Sequence, residues 1–257
     1  NGIKIAFTDE GQGLPVVFLH GFPLNRTMWT PQVERLATRF RVITIDLRGH
    51  GESEAPLWHY SMEQFADDLI GVLDHLAIEQ AALVGLSMGG YVLFSCVRRY
   101  PHRIKALIFC DTRAGADTLE GRAARFSMAQ IAYRRGAGAI ADLMLPKLLA
   151  PSTSTTNPSL VDRVRAMISR TEISGIAGDL MAMAARPDST EMLETIRVPT
   201  LVIAGEQDAA SPPTEVKKIA DGIPGAQFVT IPEAGHLPNL EQPERFNTLL
   251  EKFLAER

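Results

Sequence analysis

The pentapeptide Gly85-Leu86-Ser87-Met88-Gly89 sets a serine between glycines two positions away on either side. A serine hydroxyl is a weak nucleophile until a neighbouring base takes its proton. Exposed on a sharp turn at the end of a strand, it is placed to attack a carbonyl carbon. The flanking sequence predicts such a turn. Ala81-Ala82-Leu83-Val84 is a short apolar run with the character of a buried strand, and residues 91–100, ahead of Pro101, have helical spacing. A residue on so tight a strand-to-helix turn is forced into a strained backbone state, and its neighbours crowd the turn. Gly85 and Gly89 remove Cβ atoms where none would fit. The start of the following helix adds unpaired N–H groups and a positive dipole end beside Ser87. Glycines beside a serine are common by themselves; with a strand before and a helix after, they point to nucleophilic catalysis.

Other chemistries lack their patterns. Gly136-Ala137-Gly138-Ala139-Ile140-Ala141 has dinucleotide-loop spacing, but it follows Tyr133-Arg134-Arg135 in helical sequence and reads as a helix junction. There is no P-loop, H-E-x-x-H or C-x-x-C, so no metal and no cofactor is expected.

The elements that must position Ser87 alternate along the chain. Segments 16–19, 41–45, 81–84, 104–110, 200–204 and 227–231 are short, apolar and bounded by Gly, Pro or Asp, whereas 61–76, 91–100 and 213–220 are amphipathic. That order predicts an α/β fold with a mainly parallel sheet covered by helices on both faces. Segment 3–7, joined to 16–19 through Asp9-Glu10-Gly11-Gln12-Gly13, is expected to form a hairpin at an antiparallel edge. Between about Arg113 and Thr195 the strand signal fades. Ala- and Met-rich helical sequence takes over, punctuated by Pro146, Pro151, Pro158 and Pro187 into several short helices. The expected organisation is an α/β core of residues 1–112 and 191–257 with an inserted helical cap of residues 113–190.

Four landmarks carry a family resemblance: His20-Gly21-Phe22-Pro23 after the first core strand, Asp46-Leu47-Arg48-Gly49-His50-Gly51-Glu52-Ser53, the serine turn, and the late pair Asp208 and His236. With these the chain resembles the α/β-hydrolase superfamily over nearly its whole length, and within it small carboxylesterases and 3-oxoadipate enol-lactonase-like hydrolases. The resemblance implies a triad in the chain order serine, acid, histidine. Ser87 is then the nucleophile and His236, in a loop after the last strand, its base. Of the other histidines, His75 is expected at the surface or rim, His102 in solvent, and His20 and His50 in structural loops near the site. His59, between Trp58 and Tyr60, is a candidate pocket contact. Asp208, after the strand at 200–204, is the first choice for the orienting acid, with Glu206 in the same loop and Asp111 at the end of 104–110 as rivals. The resemblance places the oxyanion-hole amides on Met88 and Phe22, since Pro23 has no N–H to give.

The chain's 257 residues, with 46% hydrophobic and 22% charged, suffice for a self-standing core and argue against extended disorder. A net charge of −4 offers no basic excess for nucleic acid, and no apolar run approaches a membrane span. Cys96 and Cys110, too few for a disulfide framework, lie in apolar surroundings and suit a reducing, cytoplasmic setting. The expected activity is hydrolysis of a small carboxylic ester through an acyl-enzyme. Lactone hydrolysis is the first alternative; C–C bond hydrolysis, perhydrolysis and non-hydrolytic binding on the same fold rank lower. Serine at position 87 argues against dehalogenase and epoxide-hydrolase chemistry, which needs a carboxylate nucleophile. The segment 113–195 carries ten Lys or Arg against nine Asp or Glu, unlike the acidic remainder. That makes an anionic substrate conceivable, with Arg113 as the nearest substrate-binding candidate. Oligomeric state has no signal in the sequence.

Overall fold

In the computed structural model, which describes residues 1–57 and 60–257, one seven-stranded sheet runs in the order β1-β3-β2-β4-β5-β6-β7. The strands are β1 (Phe7–Glu10), β2 (Pro15–Leu19), β3 (Arg41–Ile45), β4 (Ala81–Leu86), β5 (Ile104–Cys110), β6 (Thr200–Gly205) and β7 (Gln227–Ile231). Every neighbouring pair is parallel except β1 with β3. Strands β4 and β6 are buried at each residue, which is why they read as unbroken apolar runs rather than alternating ones. His59 lies outside the described residues.

The helices of the first half are α1 (Thr30–Leu36), α2 (Met62–His75) and α3 (Met88–Arg99). Between β5 and β6 come α4 (Leu119–Leu148), α5 (Pro151–Thr156), α6 (Pro158–Ser169) and α7 (Ile173–Ala185). The chain closes with α8 (Pro213–Gly222), α9 (Pro238–Glu241) and α10 (Pro243–Leu254). Helix α2 shows how local sequence sets an element. The Ser61 hydroxyl caps its start by accepting the Gln64 amide, and Phe65, Leu69, Val72 and Leu73 recur on one buried face. Among the described residues no helix is long and apolar enough to cross a membrane. Both cysteines are free and buried; burial pushes the Cys96 thiol up to about 12 and raises Cys110 well above the ordinary range, so neither offers a thiolate.

Two expectations are corrected. The hairpin of the first strand with β2 does not form: β1 starts at Phe7 and pairs antiparallel with β3. Both edges of β2 are taken, by β3 and β4, so the remaining edge of β3 receives β1. Arg41 on β3 fixes the pairing through a two-pronged contact with Asp9, at 2.7 and 2.9 Å. Nor does Pro146 divide the helical region. It sits inside α4, where the carbonyl it leaves unpaired belongs to the exposed residue Asp142. The break falls at Gly136, whose φ of 79° is left-handed, at the junction expected for Gly136–Ala141.

The α4–α7 region is seated on the sheet's carboxyl end by specific polar contacts. Thr171 donates to the Pro23 carbonyl at 3.0 Å, the Leu148 carbonyl accepts the His236 amide at 3.0 Å, and His50 Nε2 lies 2.6 Å from Asp179 Oδ2 on α7. The His50–Asp179 pair is fully buried. Burial disfavours charge on both groups and raises the Asp179 carboxyl; at His50 burial is offset by Asp179 together with the Leu24 backbone and Asp46, and the imidazole is raised. Replacing Asp179 with alanine strands the imidazole. Breaking a buried pair costs about 3–5 kcal/mol. For a chain of this size that is a fall in Tm on the order of 10 °C. Thermal unfolding of Asp179→Ala checks it; an unchanged Tm would show the pair to be energetically idle.

Candidate active site

Ser87 follows β4 and caps α3 with φ 53° and ψ −110°, a conformation costing a non-glycine residue of order 1–3 kcal/mol. The surroundings hold it there. Its amide donates to the Cys110 carbonyl at 2.8 Å, and its carbonyl accepts the Thr112 hydroxyl at 2.7 Å and the Gly90 amide at 2.9 Å. A Cβ on Gly85 would stand 2.5 Å from the Gly89 carbonyl carbon, and one on Gly89 would stand 2.4 Å from the Leu19 oxygen. The two glycines thus let the turn close, as their spacing predicts. Ser87 keeps partial exposure while Leu86 and Met88 are buried.

His236 lies in the loop between β7 and α9, at the same end of the sheet. Its Nδ1 is 2.7 Å from Asp208 Oδ2, both side chains being buried. Asp208 Oδ1 accepts the Ala210 and Ser211 amides at 2.7 and 2.9 Å, which fixes the plane of the carboxylate. On the neutral ring Nδ1–H donates to Asp208, leaving Nε2 as an acceptor, and among the described residues no protein group occupies Nε2. Glu206 is exposed and its carboxylate takes the Glu233 amide at 3.3 Å, away from the imidazole. Asp111 is fully buried behind the pair, with Oδ1 on the Gly205 amide at 2.7 Å. One side-chain ligating atom from each of Asp111, Asp208 and His236 lies within 4.8 Å of the others.

The other histidines of the described residues stand apart from this pair. His20 Nε2 accepts the Leu47 amide at 3.0 Å, so Nδ1 donates to the Gly21 carbonyl. Burial, then His50, holds its imidazole well below the ordinary range, and it stays neutral. His75 and His102 are exposed.

Phe22 sits in the turn closed by the Leu24 amide on the Gly21 carbonyl, and its own amide has no acceptor among the described residues. A Cβ on Gly21 would stand 3.3 Å from Ser87 Cβ, which brings this turn against the serine. Met88 opens α3, where first-turn amides lack intrahelical acceptors. Arg113 points a guanidinium N–H at the Ala210 carbonyl, 2.5 Å away, and so braces the loop that carries Asp208. An apolar cleft of about 380 Å³ opens between Leu57 and the α4–α7 helices, lined by Phe126, Tyr133, Ala177 and Met181.

Sequence patterns did not mark Glu241. Its Oε1 accepts the Gly235 amide at 2.8 Å, while Oε2 accepts the Ala150 amide at 2.8 Å and the Thr153 hydroxyl at 2.7 Å. One carboxylate therefore ties the His236 loop to the junction of α4 and α5. The available signal is an acidic residue in the first turn of a short helix just after His236.

Residues 15–243 match the family described as alpha/beta hydrolase fold, and the chain belongs to that family. Among solved structures it is similar to a thermophilic esterase from Thermogutta terrifontis, at 47% identity and a TM-score of 0.97, covering 99% of this chain and 94% of that one. The enol-lactonase from Burkholderia xenovorans is 32% identical with a TM-score of 0.93, over 99% and 98% of the two chains. Among curated relatives, 3-oxoadipate enol-lactonase 2 of Acinetobacter baylyi is 30% identical over 236 residues, 92% of this chain and 86% of its own length.

Proposed function

We propose that this ester-hydrolysing enzyme cleaves small carboxylic esters through an acyl-enzyme, with Ser87 as nucleophile, His236 as base and Asp208 as orienting acid. The observation that carries the reading is the 2.7 Å pairing of His236 with Asp208 at the sheet end where Ser87 stands on its strained turn. His236 Nε2 accepts the Ser87 proton as Oγ attacks the ester carbonyl, and Asp208 stabilises the imidazolium that forms. The Phe22 and Met88 amides receive the developing oxyanion. The imidazolium then protonates the leaving alkoxide. Water, deprotonated by the same nitrogen, releases the acid.

Residues 1–112 and 191–257 act as the core in this reading, and 113–190 as the cap. Anchored at Pro23, His50 and the His236 loop by fixed contacts, the cap suits a compact acyl group in this reading. Esters rank above lactones because the esterase relative is the more similar at 47% identity. The enol-lactonase relatives support lactone hydrolysis as the second reading. Arg113 would meet the anionic group of such a lactone only by turning from Ala210.

Hydrolysis of nitrophenyl esters from acetate to palmitate, run beside an anionic enol-lactone, tests both. The rate is expected to peak at the short end, without interfacial activation. A maximum at palmitate would defeat the compact-pocket reading. A lactone preference that disappears in Arg113→Ala would reverse the ranking.

A further inference from the structure

Behind the Asp208–His236 pair lies a second carboxyl group that the mechanism above does not use. Asp111 is fully buried at the end of β5, its backbone held at φ 47° by the amide contact to the Ile203 carbonyl at 2.9 Å. Its Oδ1 is committed to the Gly205 amide, yet Oδ2 receives no donor among the described residues. Asp208 Oδ1 is filled by two amides and Oδ2 faces His236, so Asp208 has no donor to offer in return. Two ionised carboxylates in one dry pocket repel strongly, and a single proton placed between them removes the conflict.

The surrounding charges favour that outcome. Asp208 approaches from the β6 loop, His236 from the β7 loop and Glu241 from α9; on its own strand and loop Asp111 has the neutral Cys110 thiol and Arg113, whose guanidinium is directed to Ala210. Burial, then the charge on Asp208, raises the Asp111 carboxyl well above the usual carboxylate range.

We propose that Asp111 is a positioning residue that remains a neutral carboxylic acid and donates its Oδ2 proton to the Asp208 carboxylate, holding that carboxylate against His236. The inference rests on the Ser87–His236–Asp208 reading. Asp111 touches no substrate and acts only through Asp208.

The neutral-donor role predicts an unusual ranking of variants. Asn supplies an amide N–H toward Asp208, accepts the Gly205 amide and tolerates the left-handed backbone. Asp111→Asn should keep kcat/KM within about threefold and leave the acid limb of the pH profile where it is, since one neutral donor replaces another. Asp111→Ala removes the donor. Its kcat should fall roughly 10- to 100-fold, the worth of one hydrogen bond to a charged group. Its acid limb should move up in pH, because an undamped Asp208 charge makes His236 more basic. An ionised Asp111 predicts the opposite sign: either variant would remove a negative charge, and the limb would move down.

Difference infrared spectra supply an independent readout. The carbonyl stretch of a protonated carboxylic acid should be present in the wild type at neutral pH and missing in Asp111→Asn. A downward limb in Asp111→Asn, absence of the acid band in the wild type, or an Asp111→Ala enzyme with normal rate and limb per folded molecule would each overturn the proposal. Failure of the underlying reading is distinguishable: it would appear as normal turnover in Asp208→Asn, a variant that leaves Asp111 in place.

Discussion

Ser87→Ala is expected to lose essentially all turnover, by about 10⁴-fold or more in kcat, because the substitution deletes the only atom that forms the acyl bond in the proposed mechanism. Stability should barely change. Alanine keeps the Cβ and therefore the same strained φ of 53°, and the hydrogen bonds that hold the turn are made by the backbone of residue 87 rather than by its hydroxyl. Wild-type enzyme should be labelled stoichiometrically by a fluorophosphonate and Ser87→Ala not at all. The two proteins should unfold at nearly the same temperature. Undiminished labelling in Ser87→Ala would place the nucleophile elsewhere.

Asp208→Asn should be almost as severe, and the surrounding hydrogen bonds give the reason. The Ala210 and Ser211 amides both donate to Oδ1, so an asparagine would keep its carbonyl oxygen there and turn its NH₂ toward His236. That NH₂ faces Nδ1 as a donor and selects the ring tautomer with the proton on Nε2. The nitrogen that should accept the serine proton would already carry one, and the imidazolium would lose its counter-charge. The corresponding change in a serine protease lowers kcat by about 10⁴. Steady-state kinetics on Asp208→Asn check the expectation, and Glu206→Gln serves as the comparison. Glu206 is exposed and bonded to the Glu233 amide, so its amide variant should retain normal rates. Loss of activity in Glu206→Gln with survival in Asp208→Asn would exchange the two assignments.

Short-range rules in the chain reached as far as the turn at Ser87, and for a physical reason. An apolar run, two glycines that clear the way for a sharp bend, and a helix start all lie within about twenty residues, so their steric and hydrogen-bonding requirements are written in neighbouring positions. The amphipathic run of α2 and the apolar runs of β4 and β6 were legible on the same ground. His236 was legible only with the family resemblance added, because a lone histidine in a loop carries no local signature.

Tertiary structure decided what depends on contacts between distant segments. Three carboxylates follow strands near the serine, and spacing along the chain cannot rank them. Folding turns Glu206 to solvent, sets Asp208 on the imidazole across 28 residues of chain, and buries Asp111 behind both. The same holds for β1, which pairs with β3 because β2 has no free edge, and for Glu241, whose carboxylate reaches the Ala150 amide 91 residues away in the chain. Pro146 stays inside a helix at a point where the residue whose carbonyl it orphans, Asp142, lies at the surface. A residue's type limits which interactions it is able to make. Which of them it makes is settled by burial and by the partners that the whole fold brings within hydrogen-bonding distance, and neither is encoded in the residues beside it.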